Sequence, residues 1–132
     1  MPCTVCSADQ FEVVACGLDF KDRGCKQCVA CQAGVSYETS PCVGTNDRVC
    51  TPVAQCQSTE YELKAPTLKD NRICAAVRMC KTDEWESEAP TRTSDRVCQK
   101  VTPCSSTQFI RREKSPTSDQ VCQDCQVWRA RP

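Results

Sequence analysis

The sequence predicts a small disulfide-rich fold: an elongated tandem array of five short, mostly irregular or β modules, with little helix and no single hydrophobic core. Three observations predict it. Fifteen of the 132 residues are cysteine. One module recurs five times with a cysteine at each end, opening at Cys6, Cys31, Cys56, Cys80 and Cys104 and closing at Cys25, Cys50, Cys74, Cys98 and Cys122. Each closing cysteine precedes the next opening one by six positions, and the last three openings are 24 residues apart, so small units stack in a line instead of wrapping one core. Finally, only two Trp, two Tyr and three Phe are available to anchor packing. Ordering the chain costs on the order of 1.5 kcal/mol per residue, and covalent bridges must help to offset what so thin a core cannot.

The modules run 3–25 and 26–50 with two bridges each, then 51–74, 75–98 and 99–122 with one each. Residues 123–132 look like the truncated start of a sixth module or a tail. Five or six residues after each opening cysteine stands an aromatic: Phe11, Tyr37, Tyr61, Trp85 and Phe109. A glutamate follows the first four, as Glu12, Glu38, Glu62 and Glu86, whereas the fifth copy has Ile110. We expect each ring to be its module's miniature core lying against the disulfide, the alternative being a row of exposed contact rings.

Three residues before each closing cysteine lies Asp22, Asp47, Asn71, Asp95 or Asp119. Such a side chain bonds its own backbone two residues on and sets a turn. The next residue is Arg23, Arg48, Arg72 or Arg96, with Gln120 in the last copy. These arginines belong to the module core, either laid over the ring or forked onto the neighbouring glutamate. The fifth copy changes Glu and Arg together, as expected of a pair that meets in space. Between the halves, Pro66-Thr67, Pro90-Thr91 and Pro116-Thr117 mark a bend that disfavours helix. In the fifth copy the proline is displaced by two residues, and its loop is expected to take a different shape.

Equivalent positions in a repeat bond equivalently, and copies three to five hold only two cysteines each. The simplest scheme therefore closes every module on itself: Cys6–Cys25, Cys31–Cys50, Cys56–Cys74, Cys80–Cys98 and Cys104–Cys122. The additional cysteines of the first two copies pair naturally as Cys3–Cys16 and Cys28–Cys42. Cys125 is left unpaired, three residues after Cys122 as Cys28 is after Cys25. Trp128 stands where a sixth module would open.

Charge is balanced, with 17 basic and 17 acidic residues, which removes the usual electrostatic case for nucleic acid or an anionic membrane. The spots Arg111-Arg112 and Arg129-Ala130-Arg131 read as solvated surface charge. No apolar run approaches a membrane span, so no direct membrane insertion is expected. Histidine is absent, leaving no ordinary general base near neutral pH. We expect no catalytic residues and no cofactor. Cys3-x2-Cys6, Cys25-x2-Cys28-x2-Cys31 and Cys122-x2-Cys125 have the spacing of zinc knuckles. Copies three to five lack such pairs internally, and the bridges account for every cysteine but one, so no metal is expected either. The cysteine density argues for an oxidising compartment, extracellular or at the cell surface. Because Met1-Pro2-Cys3 begins inside the cysteine pattern, the chain reads as an excised segment or mature form whose targeting and any anchor lie outside.

The pattern Cys6-x18-Cys25-x2-Cys28-x2-Cys31-x10-Cys42-x7-Cys50, with its Thr45-Asn-Asp-Arg-Val-Cys50 ending, is similar to the cysteine-rich domain of the tumour necrosis factor receptor family. The first-with-second, third-with-fifth and fourth-with-sixth pairing of that family agrees with the scheme above. Residues 51–122 resemble the family's single-bridge module variants in tandem. Three such modules in succession depart from the alternating types of vertebrate receptors. Similar repeats occur in large extracellular proteins of protists and algae, where the resemblance implies a stalk, coat or adhesive scaffold. The expected function is thus a non-catalytic structural, adhesive or assembly segment whose partners are other proteins. The alternative is the ligand-binding ectodomain of such a receptor, membrane-bound or a soluble decoy.

Overall fold

A computed structural model describes residues 3–17 and 21–126 of the chain, so Trp128 and the Arg129-Ala130-Arg131 spot lie outside the described residues. It contains ten short strands and, among the described residues, no helix: β1 (Gln10–Val14), β2 (Gly24–Gln27), β3 (Ser36–Ser40), β4 (Val49–Pro52), β5 (Glu60–Lys64), β6 (Ile73–Ala76), β7 (Glu84–Glu88), β8 (Val97–Lys100), β9 (Gln108–Arg112) and β10 (Val121–Asp124). They pair consecutively into five two-stranded sheets, one per module. Each first strand carries the aromatic and each second strand the closing cysteine. Every second strand runs two residues past that cysteine, so a module boundary drawn directly after Cys25, Cys50, Cys74, Cys98 or Cys122 cuts a strand, and the linkers begin later.

The register is the same wherever the hairpins can be compared. Glu12 faces Cys25, Glu38 faces Cys50, Glu86 faces Cys98 and Ile110 faces Cys122, and a bulge follows directly in each first strand. A bulge bends its strand and increases local twist. The second module has one more residue between opening cysteine and aromatic than the others. Gly34, in the left-handed region at φ 76°, absorbs that residue at a conformation costly for any side chain.

Seven cysteine pairs stand at disulfide distance: Cys3–Cys16, Cys6–Cys25, Cys28–Cys42, Cys31–Cys50, Cys56–Cys74, Cys80–Cys98 and Cys104–Cys122. Their Cα atoms lie 5.5–6.2 Å apart, within the range a bridge requires. Cys125 is free and exposed. By contacts the chain divides into two compact units, one comprising residues up to Cys56 with Leu63–Cys74, the other Gln57–Glu62 with the residues from Ala75 onward.

The aromatics are partly enclosed in four modules and exposed in the fifth. Phe11, Tyr37, Tyr61 and Trp85 are half-buried and Phe109 is 48% exposed. A two-stranded hairpin has no second layer to cover such a ring. The buried residues, among those described, are Cys28, Val53 and Glu84. Cys28 and Val53 occupy one repeat position, three residues before an opening cysteine. The amides of Cys28, Val53, Val77, Val101 and Cys125 donate alike to the carbonyls of Asp9, Val35, Thr59, Asp83 and Thr107 at 2.8–2.9 Å. The bends superpose in the same way: Val43 N–H donates to Asn46 O, Thr67 to Asp70, Thr91 to Ser94 and Ser115 to Ser118, all at 3.0–3.1 Å.

Aligned on these bonds, Pro66 and Pro90 stand where Cys42 stands. The third and fourth modules have thus replaced Cys28–Cys42 by a Val and a Pro at the same two places. Substituting both Val77 and Pro90 by cysteine is accordingly expected to create an eighth bridge, read as the absence of new free thiols by mass spectrometry. The gain is about 3 kcal/mol in the chain-entropy account, measurable as a raised denaturation midpoint.

Candidate functional site

The recurrent charged residues converge on one arrangement per module. The Oδ1 atom of Asp22, Asp47, Asn71, Asp95 or Asp119 accepts two amides. One belongs to the next residue, Arg23, Arg48, Arg72, Arg96 or Gln120, at 2.7–2.8 Å. The other belongs to the residue two before the opening cysteine: Thr4, Val29, Ala54, Arg78 and Thr102, at 2.7–3.1 Å. The local turn two residues on, expected from the sequence, is therefore replaced by a cross-chain clamp, because the hairpin brings the module's entry segment within reach of the carboxylate.

The arginine completes the clamp from the other side. Nη1 of Arg48, Arg72 and Arg96 donates to the carbonyls of Val29, Ala54 and Arg78 at 2.8–3.1 Å, so one Asp/Asn-Arg dipeptide holds both backbone groups of a single entry residue. Gln120 keeps this bond, with Nε2 2.6 Å from Thr102 O. Of the two placements open to the guanidinium, the glutamate is taken. Nε lies 2.7 Å from Glu12 in Arg23, 2.7 Å from Glu38 in Arg48 and 2.5 Å from Glu86 in Arg96. These contacts are ion pairs rather than aligned hydrogen bonds, since the N–H does not point at the oxygen. Where glutamate is lost to Ile110, glutamine suffices, because only the carbonyl bond remains to be made.

The same glutamates link successive modules through their backbone. The amides of Glu12, Glu38, Glu62 and Glu86 turn away from their hairpins and donate to the carbonyls of Gly44, Leu68, Arg92 and Pro116 at 2.7–2.8 Å. The four acceptors are spaced by 24 residues, each at one bend of the following module. The fifth loop differs from the third and fourth as expected, with a Ser115–Ser118 β-bridge like the Val43–Asn46 bridge of the second, and still keeps the tie. Pro116 occupies the acceptor position, where a proline carbonyl serves as well as any other, and the turn around it keeps its Ser115–Ser118 bond.

A further recurrent residue gives no cysteine-based signal. Gln10, Ser36, Glu60, Glu84 and Gln108, directly before the aromatic, accept the amide of the residue after the opening cysteine at 3.0–3.3 Å. The sequence cue was a hydrogen-bond acceptor in all five copies, obscured by its changing identity.

Thr4 and Thr102 add hydroxyl bonds to the second oxygen of Asp22 and Asp119. Those bonds, joined by the backbone amides, hold both carboxyls below their ordinary value. The Lys81 amide and the Arg78 guanidinium lower Glu84 against the effect of its burial. Lys100 lowers Asp83 and is itself raised. A carboxyl depressed on folding adds stability above its unfolded pKa, near 3.9 for Asp, and that stability is lost as pH falls through the lower folded value. Lys100 adds stability below its ordinary pKa and loses it only as pH rises through the elevated folded value. Stability should therefore be level from about pH 5 to 8 and fall in acid. The protection factors of the Thr4 and Thr102 amides should drop there, while the Ala54 amide, held by the uncharged Asn71, should respond less. Equal acid sensitivity of all three would contradict the assignment.

One trio of potential metal ligands occurs among the described residues, Cys28, Cys42 and Asp47. Its two sulfurs are bonded to each other, so no thiolate remains and a cation would meet one carboxylate. No helix among the described residues is long and apolar enough to cross a membrane. Compared with known protein families and with curated proteins, the chain matches none. Disulfide-rich repeated modules are consistent with an extracellular cysteine-rich repeat protein.

Proposed function

We propose that this chain is a non-catalytic segment of an extracellular or cell-surface protein, built of tumour necrosis factor receptor-like cysteine-rich repeats, that spaces, assembles or adheres. One observation carries the reading. The polar residues that recur at fixed positions hold modules shut and join each to the next: Asp and Arg clamp the entry segment, Glu pairs with Arg, and the Glu amide meets the following bend. Residues that return to these roles from copy to copy support a repeat selected for being extended by further copies. Such a module works by contact with other proteins, its own kind included.

Sedimentation of the oxidised chain over a range of concentrations, together with binding to surfaces coated with the same protein, tests this. Concentration-dependent association or self-adhesion is expected. A strictly monomeric chain that binds one soluble trimeric ligand would replace this reading by the receptor ectodomain.

A further inference from the structure

The second unit holds a cleft of about 400 Å³ lined by Met79, Lys81, Glu84, Glu86, Arg96, Lys114 and the bend Ser115-Pro116-Thr117, with Cys80 beside it. Its charges are unevenly committed. Glu84 accepts two bonds from Arg78 Nη2 at 3.0 Å and one from the Lys81 amide. Glu86 is paired with Arg96. Both anions are thus satisfied by fixed partners. Neither ammonium in the lining has a carboxylate at ion-pair distance. Lys114 Nζ makes one bond, to the Glu84 carbonyl at 3.2 Å, which leaves donors of a three-donor group unused.

Lys114 also stands where the other modules have Cys42, Pro66 and Pro90. A small, rigid residue has been exchanged for a long cation at this junction alone.

We propose that this cleft binds one side-chain carboxylate of a protein partner, a glutamate or aspartate, between Lys81 and Lys114. The Thr117 hydroxyl offers a further donor. Met79, 79% exposed, and Pro116 also line the cleft and suit the methylene stem of the incoming residue. Charge complementarity selects a single carboxylate over a polyanion: Asp83, Glu84, Glu86 and Glu88 stand on or beside β7, so an extended sulfated or phosphorylated chain would meet like charge on leaving the cleft. The inference rests on the function proposed above only in taking the partner to be a protein; its test uses a free small molecule and is independent of self-association.

The experiment is an NMR titration of the oxidised chain, following the lysine side-chain signals. The probes are N-acetylglutamate N-methylamide, its glutamine counterpart and a sulfated heparin disaccharide. Saturable shifts at Lys81 and Lys114 with the glutamate probe alone are expected, weakened by up to about fivefold by Lys81→Gln, whose side chain is exposed, and by Lys114→Gln. Absence of saturable shifts, equal response to the glutamine probe, or tighter binding of the disaccharide would each overturn the assignment. Lys114→Arg keeps the charge and should retain binding, which separates loss of the site from loss of the fold.

Discussion

Strong reductant is expected to abolish the strand signal of all five hairpins and open the chain to protease. The physical case rests on how little else holds each module. A two-stranded hairpin is marginal by itself in water, and the described residues contribute only Cys28, Val53 and Glu84 as buried side chains. Against this, the seven bridges close loops of 13 to 19 residues. In the chain-entropy model each adds about 3 kcal/mol, together on the order of 20 kcal/mol, more than the net stability of an ordinary domain, about 5–15 kcal/mol. Circular dichroism and limited proteolysis before and after reduction check it. Retention of the native spectrum and of protease resistance in the reduced chain would show that the hydrogen-bonded clamps suffice without sulfur.

The second large effect is expected at Asp95. Its Oδ1 receives the amides of Arg78 and Arg96, both at 2.7 Å, and Asp95→Ala leaves both donors without that acceptor. The Arg96 amide is part-buried and its loss of a partner costs about 1–3 kcal/mol, whereas the exposed Arg78 amide turns to water at less cost, with the fourth module bearing the loss. Hydrogen exchange should quicken at Arg78, Arg96 and their neighbours while the first two modules keep their protection. Asp95→Asn retains the acceptor oxygen, as Asn71 does naturally in the third module, and should restore most of the protection. An alanine variant indistinguishable from the parent would remove the clamp from the account of what holds a module together.

Much of this arrangement was legible in the residues. The fifth copy lacks both Glu and Arg, and three of the copies that keep them show the ion pair directly. The role given to the aspartate was too local. Its preference for turns is real, but its longer bond reaches a residue 17 or 18 positions upstream, a distance that no turn rule covers. The degree of enclosure of the aromatics was not legible: a ring at a fixed repeat position implies packing, and two strands alone leave part of it to solvent, as at Phe109. Val53 drew no notice because a valine in place of Cys28 looks like an ordinary loss of a bridge until the shared amide bond shows the same seat filled.

By itself the sequence determined how many modules there are, which cysteines open and close them, and which cysteines correspond, since a period and a covalent partner set are properties of residue order. Only the tertiary structure decided which backbone groups the recurrent side chains hold and how one module is tied to the next. Those ties end on carbonyl oxygens, at Gly44, Leu68, Arg92 and Pro116. Every residue type carries a carbonyl, so the acceptor leaves no mark on the identity of the residue that provides it.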